Sequence, residues 1–133
     1  MMTRFCFVCT LGAAAIMLAS GCSSEEREGF VAAGTVTHQG APVPRGSILL
    51  SPDSSKGHRG PAISADIVAG AFDTSQAKQR LTEGAYRVRI DGFDGDAKPD
   101  QELPYGKQIF AEFTTSIKVT NENASSISIE VNR

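Results

Sequence analysis

The 133-residue chain has no tryptophan, two tyrosines and three cysteines, and the cysteines, Cys6, Cys9 and Cys22, all fall near its start. A domain built from the residues after Cys22 has no disulfide to restrain its unfolded chain and depends on its apolar core. It also has no thiols for a structural zinc site. His38 and His58 would have to recruit distant carboxylates to reach the three or four protein ligands that zinc takes, so both histidines read as solvated and no metal site is assigned. Positive charge is not in excess either. Thirteen Lys and Arg against 15 Asp and Glu give a net charge of −2, which provides no basic stripe for nucleic acid. The chain lacks G-x-S-x-G and any phosphate-cradling glycine loop, and activating a nucleophile takes a base in hydrogen-bond reach and an oriented third group. These absences read as a non-catalytic protein without a cofactor.

What is present begins with the leader, "MMTRFCFVCTLGAAAIMLASG". Arg4 is its one charge, and the apolar run from Phe5 to Ala19 ends in small residues, a secretory signal pattern predicted to form a helix. That run is about fifteen residues long, whereas a membrane-spanning helix needs roughly 20. Glu25 and Glu26 follow in place of a basic stop-transfer cluster. The C-x-x-C formed by Cys6 and Cys9 lies inside this leader and is set aside with it.

After residue 30 the chain reads as strands. "AYRVRIDG" alternates Tyr86, Val88 and Ile90 with Arg87 and Arg89; "SISIEVNR" and "TSIKVT" repeat the device. The turn formers of "NENAS", Asn121 to Ser125, predict a hairpin between those last two segments. "GTVTHQG" and "SILLSP" are strands joined by a stiff connection containing Pro42 and Pro44, and "AISADI" and "GAFDT" are weaker strands. One short helical stretch is expected at "SQAKQRL". Short strands with Gly and Pro turns imply an all-β fold, a sandwich of about seven antiparallel strands. Its expected core is Val36, Ile48, Leu50, Ile63, Phe72, Leu81, Tyr86, Val88, Ile90, Ile117, Val119, Ile127 and Ile129. Each contributes roughly 1.5–3 kcal/mol when fully buried. Tyr86, two residues after Gly84, is expected to fill the core with its ring and bond nearby backbone with its hydroxyl, as in a tyrosine corner.

Two resemblances extend these readings. Ala19, Ser20 and Gly21 running into Cys22 resemble the lipobox of bacterial lipoproteins, with Leu18 four residues before the cysteine where the family favours leucine three before. The resemblance implies peptidase recognition through Ala19, Ser20 and Gly21, lipidation of Cys22 and a mature chain that starts there. It also implies an address in the cell envelope, with Ser23 favouring the outer membrane. Two or three fatty chains would hold the protein on a bilayer, since each buried methylene contributes about 0.8 kcal/mol. "AGTVTHQGAPVPRGSILLSP" and "AGAFDTSQAKQRLTEGAYRVRI" are similar to the first strands and the Leu-x-x-Gly-x-Tyr signature of carboxypeptidase-regulatory-like, or transthyretin-like, domains. Behind a lipobox, this order resembles small single-domain lipoproteins of planctomycete-type bacteria. The resemblance implies a prealbumin-like (Ig-like) sandwich over 31–133, after a signal peptide at 1–21 and a polar tether at 22–30. It departs from the pattern at Arg45, where the family has a small residue, and at Ala69, which replaces an aspartate before Gly70.

Two functions fit the whole. One is a lipid-tethered structural or protein-interaction module of the envelope. The other is a module binding a small ligand or glycan, for which Phe93 and Tyr105, aromatics in loop-like sequence, are the candidate contacts. "DGFDGDAKPDQE", over 91–102, gathers five carboxylates, but its spacing misses the D-x-D-x-D-G rhythm of an EF-hand loop.

Overall fold

The computed structural model describes residues 28–132; the leader, Ala19 to Gly21 and Cys22 lie outside the described residues. Eight strands form one curled, mostly antiparallel sheet: β1 Ala33–His38, β2 Ala41–Pro42, β3 Arg45–Pro52, β4 Ile63–Val68, β5 Ala71–Asp73, β6 Gly84–Phe93, β7 Phe113–Val119 and β8 Ile127–Val131. The path runs β2-β1-β5-β4-β3-β6-β7, and β8 lies parallel to β1. Because β8 occupies one side of β1 from Gly34 to His38, β5 and β2 share the other side, one after the other. The curled sheet therefore has β8 at one edge and β7 at the other. Among the described residues no helix is long and apolar enough to cross a membrane.

The alternation in the sequence explains the layers. Ile48 and Leu50 of β3, Tyr86, Val88 and Ile90 of β6 and Val36 of β1 point inward and are buried, while their neighbours face water. Every expected core residue is buried except Ile117, which is half-buried because β7 is an edge. Ala32, Val43, Ile67, Phe110, Ala124 and Val131 complete the core. Two tight hairpins curl the sheet. Gln39 and Gly40 turn β1 into β2 with φ of 51° and 77°, and Ala69 and Gly70 turn β4 into β5 with φ of 50° and 77°. Both pairs have the double positive φ of a type I′ turn. The turn at Gly70 thus forms with alanine in a conformation that usually favours Asn, Asp or Gly.

Two sequence expectations are corrected. β7 and β8 do not form a hairpin: β7 pairs with β6 and β8 with β1. The link between them carries the chain from one edge of the sheet to the other. Asn123 fastens it, accepting from Thr120 N at 2.8 Å and donating to the Lys118 carbonyl at 2.9 Å. Alternation marks both segments as half-buried strands, but it does not select a partner. "SQAKQRL" is not helical but a run of turns and bends. Buried Thr74 accepts from Ala32 N through Oγ1 at 2.8 Å and donates its own N–H to the Ala32 carbonyl at 2.8 Å. Asp73 accepts from Ser75 N at 2.5 Å. Side-chain acceptors of this kind draw backbone away from a helix, and no apolar period of 3.6 residues opposes them.

Candidate functional site

The two aromatics singled out in the sequence meet at one pole of the sheet. Phe93 is the last residue of β6, and the chain leaves it for a compact loop that returns as Gln108, bridged to Phe93. The loop is organised around Asp94. Its N–H donates to the Lys107 carbonyl at 2.9 Å, and its Oδ1 accepts from Asp96 N at 2.9 Å and Lys107 N at 3.0 Å. Gly106, at φ 88°, lies so close to that carboxylate that a Cβ would overlap it. Gly95 N donates to the Tyr105 carbonyl at 3.0 Å. The outcome is a ring pair, Phe93 and Tyr105, with centroids 5.9 Å apart and planes tilted by 46°.

A third member was not assigned to the site from sequence. Arg45 pairs with Phe93 across the β3–β6 register and lays its guanidinium over the Tyr105 ring, 5.3 Å from the centroid. That is within the range of a cation–π contact. Tyr105 is 46% exposed, so the cluster presents a ring, a phenol hydroxyl and a delocalised cation to solvent. Arg45 stands out in sequence only as a departure from the pattern of the domains the chain resembles; placing it beside Phe93 requires the strand register.

Two carboxylates of the acidic loop bond locally. Asp94 spends Oδ1 on backbone donors, and Asp96 pairs with Lys98 Nζ at 3.3 Å. Among the described residues no group of three or more His, Cys, Asp or Glu side chains is placed to hold a metal ion.

Both histidines pack against aromatic rings, which corrects the expectation of solvated side chains. His38 donates from Nδ1 to the Val131 carbonyl at 3.1 Å, and its ring lies 4.9 Å from Phe110. His58 meets Tyr86 edge-on at 4.8 Å, with Nε2 buried and, among the described residues, lacking a hydrogen-bond partner. Gly84 makes room for that ring, since a Cβ there would come within 2.6 Å of it. Tyr86 is buried, and its hydroxyl accepts from Thr82 N at 3.1 Å and donates to the Thr82 carbonyl at 2.9 Å, the brace expected from sequence.

Three carboxylates are held below their ordinary range, each by a hydroxyl first. Ser55 holds Asp53, which also accepts from Ser55 N and has Arg87 nearby at 3.8 Å. Ser75 holds Asp73. Thr37 holds Glu130, with the Gly40 N–H assisting at 3.2 Å. Asp53 also caps the 3-10 turn Ser54–Lys56, and Glu130 fastens β8 to β1.

One surface concavity escaped the sequence reading. An open groove of about 1270 Å³ crosses β1, β4, β5 and the start of β8, lined largely by small side chains such as Thr35, Ser64, Ala71 and Ser128. Small residues on adjacent strands leave a furrow, and that adjacency appears only once the strand order is known. No protein-family model, curated protein or solved structure matches the chain.

Proposed function

We propose that this is a lipid-anchored, non-catalytic protein of the cell envelope, acting as a structural or protein-interaction module. Its sheet is read as the prealbumin-like sandwich of carboxypeptidase-regulatory-like domains, behind a signal-peptide helix. The Tyr86 brace and the curled antiparallel sheet support the domain reading, and the Ala19-Ser20-Gly21-Cys22 sequence supports the anchor.

The observation that carries the proposal is the polarity of the fold. Phe30 and Leu81 exchange two backbone hydrogen bonds, at 2.9 and 3.0 Å, just before β6 begins at Gly84. Phe93 ends β6 at the opposite pole, about 30 Å away for ten residues of strand. A chain hung from Cys22, six residues before Glu28, would thus hold its Arg45–Phe93–Tyr105 cluster at the pole away from the tether. In cells fed a labelled fatty acid, the natural chain is expected to take up label and Cys22→Ser to lose it. Globomycin is expected to make a lipidated, uncleaved precursor accumulate. Equal labelling of Cys22→Ser and the natural chain refutes the anchor.

The cluster favours a second reading, glycan binding at that pole, because it gathers two aromatic rings and a cation. Retention on a polysaccharide column, weakened by Phe93→Ala and Tyr105→Ala, tests it. A natural chain that passes unretained removes it.

A further inference from the structure

The two edges of the sheet are not alike. At β8 the inward row, Ile127, Ile129 and Val131, is buried, and Glu130 is tied to Thr37 and Gly40 of the neighbouring β1 turn. At β7 the inward row ends in buried Val119, but Phe113, Thr115 and Ile117 before it stay half-exposed, although the residues opposite on β6, Ile90, Val88 and Tyr86, are buried. β7 has no proline and one charge, Lys118, near its end. Natural edges are usually blunted by charges, prolines, bulges or a covering segment. Among the described residues nothing of this kind blunts β7 between Phe113 and Ile117.

The direction of its free backbone groups follows from the register. Ala85 turns its carbonyl toward Asp53 N, the residue just past the end of β3, at 2.9 Å. Its partner across β6–β7, Lys118, therefore turns its own N–H and C=O away from β6, and the Asn123 amide reaches that carbonyl from outside. By alternation, Thr114 and Ser116 also point their backbone groups outward, away from the sheet.

We propose that β7 is a self-association edge, pairing antiparallel with β7 of a second copy of this chain about a two-fold axis through Thr115. The charge pattern selects the partner and the register. Centred on Thr115, the pairing sets Glu112 of each copy, whose carboxylate lies 3.5 Å from Arg89 of its own chain, opposite Lys118 of the other, on the solvent face where both are exposed. It places Phe113 opposite Ile117 and Thr115 opposite itself, joining the two half-exposed inward rows. Thr114 and Ser116 then stand opposite each other with outward N–H and C=O groups on both strands, so two reciprocal hydrogen-bonded pairs form without breaking any bond to β6. Moving the centre by one residue to Thr114 or Ser116 loses the Glu112–Lys118 match. A two-fold contact of this kind closes on itself as a dimer, whereas the same edge pairing head to tail would continue into a filament.

The test uses the full chain with Cys6, Cys9 and Cys22 replaced by serine, so that lipid plays no part and its outcome is separate from that of the anchor proposal. Thr115→Cys places two sulfurs across a non-hydrogen-bonded pair, at a Cα separation of about 4.5 Å that a disulfide spans. Ser116→Cys leaves its two copies on a diagonal, roughly 7–8 Å apart. Mild oxidation is expected to convert Thr115→Cys into a covalent dimer of doubled mass and to leave Ser116→Cys monomeric. In the same background without added cysteine, Lys118→Glu is expected to lose the dimer in sedimentation equilibrium, and Glu112→Lys added to it to restore the dimer. A Thr115→Cys chain that stays monomeric, equal crosslinking of both variants, or a charge swap that does not restore association overturns the proposal.

Discussion

Replacing Tyr86 by phenylalanine tests whether the brace at the start of β6 holds by its hydroxyl or only by its ring. The ring is 2% exposed and stays in place in the variant, so apolar burial is unchanged. What is lost is a pair of hydrogen bonds to one residue, Thr82 N at 3.1 Å and Thr82 O at 2.9 Å. A hydrogen bond contributes a net of about 0.5–1.5 kcal/mol, and a partner left buried and unpaired costs about 1–3 kcal/mol. Thr82 is exposed, so water can take over its backbone groups and the larger penalty does not apply. The expected loss is about 1–2 kcal/mol by that reckoning. For a domain of this size that lowers Tm by roughly 5–10 °C. Urea unfolding followed by far-ultraviolet circular dichroism should show a lower midpoint with an unchanged slope. Tyr105→Phe, in the exposed ring of the distal cluster, should fall within about 0.5 kcal/mol of the parent. Tyr86→Ala, which also empties the core beneath the sheet, should lose about 3–5 kcal/mol. Equal stability of Tyr86→Phe and Tyr105→Phe refutes the brace.

Ala69→Gly should stabilise the protein by about 0.5–1 kcal/mol in the same urea assay. Alanine at φ 50° carries roughly 1–2 kcal/mol of left-handed strain, and the added backbone entropy of glycine offsets part of the gain. Gly92→Ala should cost about 1–3 kcal/mol by overpacking, because its Cβ would lie 2.4 Å from the Phe110 ring. Near-ultraviolet dichroism should register that displaced ring. Acid should destabilise the fold through Asp53, Asp73 and Glu130, all held below their ordinary range. Their contribution is full above the unfolded carboxylate range and is lost as pH falls below about 4. Tm measured from pH 6 downward should drop there, and Asp53→Asn should flatten the drop; an unchanged slope refutes the assignment.

The fold was legible wherever a residue's burial depends on its own strand. Tyr86, Val88 and Ile90 alternate with arginines that cannot be buried unpaired, so their inward face is fixed before any partner is known. The Tyr86 hydroxyl contact was legible because its partner, Thr82, is four residues away. Long-range contacts were not. Val43 sits between two prolines and shows no alternation, yet its backbone bonds to Val36 and Gly70 carry it into the core. Phe110 is buried by a bulge: Ile109 N bonds the Gly92 carbonyl while Phe113 pairs with Ile90. Three residues on that side thus span one on β6, and the Phe110 ring packs against His38. At the candidate site, Phe93 and Tyr105 stood out as aromatics in polar loop sequence. Their meeting depends on Asp94 folding the loop, and the third member, Arg45, on a register that no local pattern encodes.

The proposed β7 pairing and the proposed lipid anchor, taken together, would constrain how the protein lies on a membrane. Antiparallel strands point the two tether poles in opposite directions, each Val119 standing four residues from the Thr115 axis and paired with Gly84 at that pole. The poles are then separated by roughly 27 Å along the strands. Eight residues, 22 to 29, reach about 26–29 Å when fully extended. A dimer standing with its strands upright would stretch one tether to its limit while the other stayed slack, at a large loss of chain entropy. With the strands along the bilayer surface, both tethers reach it relaxed. In that orientation the two Arg45–Phe93–Tyr105 clusters would face outward at opposite ends of the joined sheet, along the bilayer rather than away from it.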